Sequence, residues 1–458
     1  MIKKTIYLLL FSSLVISCGG GDDYTYIPTE PELPGSGSEE EEEEPTITDE
    51  ELLDLTQEET FKYFWDYADA NSGGARERYH PNDPANSEGV VTAGGTGFGL
   101  MAILVGIERG FVSRTEAVER LNTLLDFLGN ADRFHGAWSH WINGSTGNVI
   151  PFSDLDDGGD LVETAFLAQG LVCVKEYFKN GSEAEQVLAQ QADDLWKGVE
   201  WDWYTQDQNV LYWHWSPNHN FAINMPLTGY NEVLITYIMA AASADFTIDK
   251  EVYTNGWASN GGIQSGNTQY GYPLLVRHNG AEQFGGPLFW AHYSYLGLDP
   301  RNLSDDYVDY WDVNVNHTMI NYEYCVANPG FYQDYGDDCW GLTASYSRNN
   351  DGSIGYNAHS PGNDTGVISP TAAITSIPYA PEESLAAMHY FYRNRADLLG
   401  PAGFYDAFSP EYDWVAEAYL AIDQGPQIIM IENYRTGLLW DLFMGNEDVQ
   451  NGLTKLGF

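Results

Sequence analysis

The densest run of residues able to do chemistry is Ser153-Asp154-Leu155-Asp156-Asp157-Gly158-Gly159-Asp160-Leu161-Val162-Glu163-Thr164. Asp160 stands where a side chain caps a following helix, and Glu163, three residues on, faces the same way. Gly158 and Gly159 allow Asp156 to fold back toward that face. The result is a carboxylate cluster at a helix N-terminus, where the helix dipole favours negative charge. A calcium loop of the EF-hand kind is excluded, because Ala165 stands where the twelfth-position glutamate would be. Capping alone accounts for Asp160, whether or not the cluster is catalytic. A second candidate is Glu232, in Gly229-Tyr230-Asn231-Glu232-Val233-Leu234, an acid at the entry to an apolar helix. Half-buried there, it would have a raised pKa suited to proton donation; on the surface it would be unremarkable. A third is Asp423, in Ala421-Ile422-Asp423-Gln424-Gly425-Pro426, read as the end of a helix over 412–423. The dipole disfavours an anion at that end, so the position calls for compensation.

The elements that must position these acids are mostly helices. Leu53, Phe61, Phe64, Trp65 and Ala68 follow the three-and-four spacing of one helix face, as do Ala117, Leu121, Leu124, Leu125 and Leu128. Ser113 with Glu116, and Ser182 with Glu185, have the form of capping boxes. Further helices are expected near 97–109, 161–178, 183–200, 230–245, 286–297, 304–326, 369–376, 381–397, 412–423, 431–443 and 446–456. Gly94-Gly95-Thr96-Gly97-Phe98-Gly99 lacks a P-loop lysine and reads as a tight turn into the next helix. Between the helices lie long loops at 130–159, 203–228, 246–285 and 328–368, a length that usually carries function. About a dozen helices in pairs close most simply as an all-α (α/α)6 toroid, six inside six, with long loops and a few short β-hairpins. An open array of helical hairpins is the alternative.

Setting aside the ten acids and two lysines of residues 1–48 leaves 57 acidic against 18 basic side chains, a formal charge of −39. That field repels nucleic acid and anionic membrane surfaces and suits a neutral ligand. The chain has 14 Trp, 31 Tyr and 20 Phe. Many lie in the loops beside Asn, His and Asp, among them Trp138, Trp141, Trp213, Trp215, Trp257 and Trp340. A ring can lie on the apolar face of a sugar while polar neighbours take its hydroxyls. Cys173 sits in an apolar stretch and reads as core; Cys325 and Cys339 are spaced for no metal or redox motif, and whether they pair is open. No cofactor or metal is called for.

At the N-terminus, Lys3 and Lys4 precede the apolar run Thr5 to Ile16, and Ser17 stands directly before Cys18. This is the order of a signal peptide, and the apolar run is too short to span a bilayer. Val15-Ile16-Ser17-Cys18 resembles the lipobox of bacterial lipoproteins, which implies cleavage after residue 17 and lipid on Cys18. Residues 18–48, with the acidic run Glu39 to Glu44, read as a solvated tether. The expectation is an exported lipoprotein of the outer membrane, on its cell-surface or periplasmic face, monomeric, and attached to the membrane through the lipid alone.

The run Asp154 to Glu163, the entry Gly229-Tyr230-Asn231-Glu232, and Ile422-Asp423-Gln424-Gly425-Pro426 together resemble the glucoamylase-like proteins of glycoside hydrolase family 144, over nearly all of residues 50–458. The resemblance implies an (α/α)6 toroid over 49–458 that acts on β-1,2-glucans, by endo-cleavage or by release of sophorose from a chain end, with inversion. It also implies that Asp156, Asp160, Glu163, Glu232 and Asp423 are the acids the family needs. Inverting hydrolysis pairs a protonated carboxyl at the leaving oxygen with an ionised one that activates water. On that scheme Glu232 is the acid and Asp423 the base, directly or through a relay. The Asp156, Asp160 and Glu163 cluster raises the acid's pKa, holds hydroxyls, or supplies the base itself. Trp141, His292, Trp340 and Tyr379 are expected to bind the poly- or oligosaccharide, from loop position and side-chain type. The rival readings are an α-glucan hydrolase of the glucoamylase kind and a non-catalytic glycan-binding lipoprotein.

Overall fold

The computed structural model describes residues 47–349 and 351–458. The expected signal segment, the lipidated Cys18 and the tether up to residue 46 lie outside the described residues. From Ile47 to Phe458 the chain forms one compact unit. Its helices are α1 (Asp49–Trp65), α2 (Ala93–Arg109), α3 (Arg114–Asn130), α4 (Leu161–Phe178), α5 (Glu183–Lys197), α6 (Leu234–Ala242), α7 (Lys250–Asn255), α8 (Tyr310–Ala327), α9 (Pro370–Thr375), α10 (Pro381–Asn394), α11 (Ala421–Arg435), α12 (Leu438–Met444) and α13 (Glu447–Leu456).

Several of these starts are written locally. Thr48 with Glu51, Ser113 with Glu116, and Ser182 with Glu185 each form a reciprocal capping box. Asp160 caps α4 by accepting from the N–H groups of Val162 and Glu163. Pro370 and Pro381 open α9 and α10, where a missing N–H costs nothing.

Burial sorts the helices into two layers. α6 and α9 are buried along their whole length and α2, α4 and α11 along nearly all of theirs, whereas α1, α3, α5, α8 and α10 bury one face and expose the other. α2 packs on α4, α4 on α6, α9 on α11, and α11 back on α2. The remaining inner position belongs to two 3-10 turns, Leu288–Ala291 and Tyr293–Tyr295; the second touches α6, and the first ties to the segment after α9. There His292 Nε2 meets Ser376 Oγ at 3.0 Å, and the Tyr379 hydroxyl donates to Ala291 O at 3.1 Å. The ring closes as an (α/α)6 toroid, as expected.

Strands are short, two to six residues, and pair as hairpins or small ribbons in the long loops. The longest pairs are Gln264–Gln269 with Tyr272–Val276 and Ala344–Arg348 with Ile354–Ala358.

Three local expectations are corrected. Residues 412–423 are not a helix: Ala407–Ser409 pairs with Trp414–Ala416, Tyr419–Leu420 pairs with Arg78–Tyr79, and α11 begins at Ala421. Residues 286–297 form the two 3-10 turns instead of a helix; Pro287 sets their start, and His292, at φ −112°, breaks the run between them. The run Gly94 to Gly99 is no turn but the first two turns of α2.

Glycine there serves close approach. A Cβ on Gly97 would lie 2.3 Å from Phe166 O and 2.5 Å from Leu167 Cα, and one on Gly170 would lie 2.2 Å from Gly97 O. α2 and α4 thus touch backbone to backbone, a contact that no side-chain rotation relieves. Gly97→Ala is expected to lower stability by about 1–3 kcal/mol or more through overpacking. Gly129→Ala, on the exposed end of α3 with only Leu195 Cδ2 within 4 Å, is expected to be neutral or mildly stabilising. Thermal unfolding of the two variants side by side checks this.

Candidate active site

The inner helices bring their first turns to a cavity of about 610 Å³. Its wall includes Thr92 before α2, Val162 and Glu163 at the start of α4, Glu232 before α6, and Ile422 at the start of α11. First-turn N–H groups have no intrahelical partner and the dipole is positive there, so carboxylates are favoured. Glu163 uses a second helix as well: its Oε2 accepts the Gly94 N–H of α2 at 2.8 Å and the Thr92 hydroxyl at 3.2 Å. A Cβ on Gly94 would fall 2.6 Å from that oxygen, so the glycine is what admits the carboxylate. Burial, joined by the charge of Asp160, raises the Glu163 pKa.

Asp160 is completely buried and fully committed. Its Oδ1 accepts the N–H groups of Val162 and Glu163, and its Oδ2 accepts His140 Nδ1–H at 2.9 Å and the Trp213 indole N–H at 2.8 Å. Burial works against its ionisation, but these bonds and the His140 charge hold its pKa below the usual carboxylate range. For His140, burial opposes the charged ring, yet Glu163, Asp160 and Asp156 together raise its pKa to about 9. Asp156, 8 % exposed and on the cavity wall, sits 3.1 Å from His214 Nε2. Ligand-type atoms of His140, Asp156 and Asp160 lie within 4.8 Å of one another. With the ring protonated and donating to Asp160, His140 and Asp160 form an ion pair beside Asp156.

Glu232 faces this cluster from two residues before α6. Its carbonyl accepts the Ser294 hydroxyl, and the Trp290 indole lies beside its side chain. Burial, reinforced by the Asp160 and Glu163 charges, pushes its pKa up to about 7. It is therefore protonated up to neutral pH beside an ionised neighbour. Asp423 lies in the first turn of α11, not at a helix end, so the dipole there favours an anion; this reverses the expectation drawn from 412–423. It is 1 % exposed and sits behind the cavity wall, to which Tyr293 links it: the Tyr293 hydroxyl donates to Asp423 Oδ1 at 3.4 Å, and Tyr293 itself lines the cavity.

Of the residues expected to bind sugar, Trp141 is on the wall. Phe152 packs edge-on against Trp141 and stacks on His140 with ring centroids 4.1 Å apart. Trp340, His292 and Tyr379 are turned into the core instead, where Trp340 donates to Glu383 O, His292 meets Ser376, and Tyr379 meets Ala291. Their position between helices did not mean exposure, because these loops fold back over the ring. Trp213 is on the wall, whereas Trp138 and Trp257 are core. Cys173, Cys325 and Cys339 are buried and free, so Cys325 and Cys339 do not pair. Sequence reasoning missed His140, Tyr293, Tyr356, the Glu77–Arg78 ion pair and Asp406. Only His140, between Ser139 and Trp141, carried a usable signal.

The profile of the Glycoamylase family, described as "Putative glucoamylase", matches residues 224–447. The chain is 45% identical over 433 residues to an exo β-1,2-glucooligosaccharide sophorohydrolase (non-reducing end) of Parabacteroides distasonis, covering 90% of this chain and 58% of that relative's length. Among solved structures, the endo-β-1,2-glucanase of Chitinophaga pinensis, in complex with sophorotriose and glucose, is 55% identical, with a TM-score of 0.87 over 90% of this chain and 98% of that one. The endo-β-1,2-glucanase of Talaromyces funiculosus, 11% identical with a TM-score of 0.63 over 88% of this chain and 89% of that one, shares the fold. With over half its residues shared along nearly the full length of the Chitinophaga protein, the chain belongs to the glucoamylase-like proteins of glycoside hydrolase family 144.

Proposed function

We propose that the protein is a glycosidase that hydrolyses β-1,2-glucan or its oligosaccharides by inverting acid and base catalysis. The observation that carries this reading is Glu232: a carboxyl on the cavity wall, protonated to about neutral pH, opposite a cluster that holds its own negative charge. Relatives named for β-1,2-glucan hydrolysis share the chain at 45 to 55% identity, which supports the linkage. Glu232 donates its proton to the leaving glycosidic oxygen. Asp423, reached through Tyr293, belongs to the base side. Asp160 fixes His140 and Trp213, while Asp156 and Glu163 present oxygens to sugar hydroxyls. Phe152, Met225 and Tyr356 are large apolar side chains about half exposed at the cavity; with Trp141 they supply surfaces for pyranose faces. Export and lipidation at Cys18 would place this site at the outer membrane, where a polymer can reach it.

Glu232→Gln keeps the shape of the side chain and removes the proton. Activity on linear β-1,2-glucan is expected to fall by about 10²–10⁴-fold, with thermal unfolding unchanged. Reducing ends from a glucan panel, with product anomers followed by NMR, check both linkage and inversion. Digestion of an α-glucan with none of β-1,2-glucan would favour the glucoamylase reading, and binding without product would favour the capture reading.

The pH profile follows from the same group. The acid must hold its proton, so the rate is full below the Glu232 pKa and falls as pH rises through about 7. A kcat/KM profile flat to well above that value would remove Glu232 from the acid role.

A further inference from the structure

Asp406, in the connection between the short strands Gly403–Phe404 and Ala407–Ser409, is 1 % exposed and absent from the cavity wall. Its Oδ2 accepts the Tyr346 N–H at 2.7 Å, and its Oδ1 meets no donor among the described residues. Asp423 is its counterpart: Oδ1 accepts from Tyr293, and Oδ2 likewise meets no donor among the described residues. The two carboxyl groups lie within hydrogen-bonding reach of each other. The pair thus has two orphaned, buried oxygens and no donor between them. Ionised carboxylates only accept, so two charges here would repel across the contact with no protein donor for either oxygen. One proton, held between Asp423 Oδ2 and Asp406 Oδ1, settles both.

We propose that Asp406 is a positioning residue of the hydrolytic site: it shares one proton with Asp423, keeps the pair at a single negative charge, and so sets the pH range in which Asp423 accepts a proton from the cavity. This rests on the glycosidase reading above. Burial raises both carboxyls above the ordinary range, Asp423 further because it faces the Asp406 charge. The groups facing the pair are Arg78 and Glu77, which are ion-paired to each other, and Tyr346 and Tyr356 from the hairpin Ala344–Arg348/Ile354–Ala358; Tyr293 completes the set from its 3-10 turn. Arg78 is the one cation among them, and it is already bound to Glu77 and to the Tyr346 hydroxyl. A proton leaves the attacking water and Tyr293 passes its own hydroxyl proton to Asp423 Oδ1 as it receives that one. The proton on Asp423 Oδ2 then moves to Asp406 Oδ1, taking the pair from one negative charge to none. Nothing is oxidised or reduced.

Asp406→Asn keeps the acceptor for the Tyr346 N–H and replaces the shared O–H···O contact by a weaker N–H···O one. The singly charged form loses its strongest stabilising bond, so the acid-side limb of kcat/KM is expected to move up by about one pH unit, with KM little changed. An acid limb that coincides with that of the unmodified protein overturns the proposal, as does a change confined to KM. Infrared spectroscopy of the unmodified full chain gives a readout that needs neither activity nor a folded variant. At about pH 9, where Glu232 is ionised, a protonated-carboxyl band that shifts in heavy water is expected, and it should be missing in Asp406→Asn. No such band in the unmodified protein overturns the shared proton. A band with no hydrolysis of any glucan leaves the pair standing and defeats the glycosidase reading.

Discussion

The structure turns on the meeting of helix N-termini with carboxylates inside the toroid. α2, α4, α6 and α11 all begin at the cavity, so their positive dipole ends and free N–H groups converge there. That convergence is what permits Asp160, Glu163, Asp423 and the nearby Glu232 to share a low-dielectric interior. The glycines of α2 extend the same logic. Gly97 lets α2 lie against α4, and Gly94 lets the Glu163 carboxylate close the end of α2 in place of a local cap, since Thr92 makes no capping bond of its own. Fold and site are therefore not separable here, because the contact that packs two inner helices also seats one of the acids.

Within this common field the acids are told apart by their partners. Asp160 has four donors, one of them the protonated His140, and stays ionised. Glu232 has one indole and the repulsion of its neighbours, and it keeps its proton to about neutral pH. Different partners thus push the pKa values of chemically similar groups apart. Asp423 shows the opposite device, a carboxyl with a second carboxyl as its partner, whose charge is set by a proton held in common.

The sequence was informative where the physics is local. Capping boxes at Ser113 and Ser182 and the Asp160 cap with Glu163 one turn on are short-range patterns, and they stand as read. It misled where tertiary contacts override local preference. Glycine costs about 1 kcal/mol in a helix interior, so Gly94 to Gly99 looked like a turn, yet close packing against α4 holds the run helical. The stretch 412–423 has apolar residues at spacings that suit a helix, and the strand pairings of Trp414–Ala416 and Tyr419–Leu420 with distant segments decide otherwise. Trp340, His292 and Tyr379 carried the right chemistry for a sugar site but are consumed by core hydrogen bonds. Asp406 gave no signal at all, since its meaning depends on Asp423 across the fold.

On the proposed function, the cavity receives a β-1,2-linked chain with its scissile oxygen against Glu232. A crystal structure of Glu232→Gln bound to a linear β-1,2-gluco-oligosaccharide tests this most directly. The predicted result is a chain lying in the cavity between Trp141, Phe152 and Tyr356, with a glycosidic oxygen in hydrogen-bonding reach of Gln at position 232, directly or through one sugar hydroxyl or water. A chain bound elsewhere on the surface, or one in the cavity whose linkages all lie out of reach of that side chain, would contradict it.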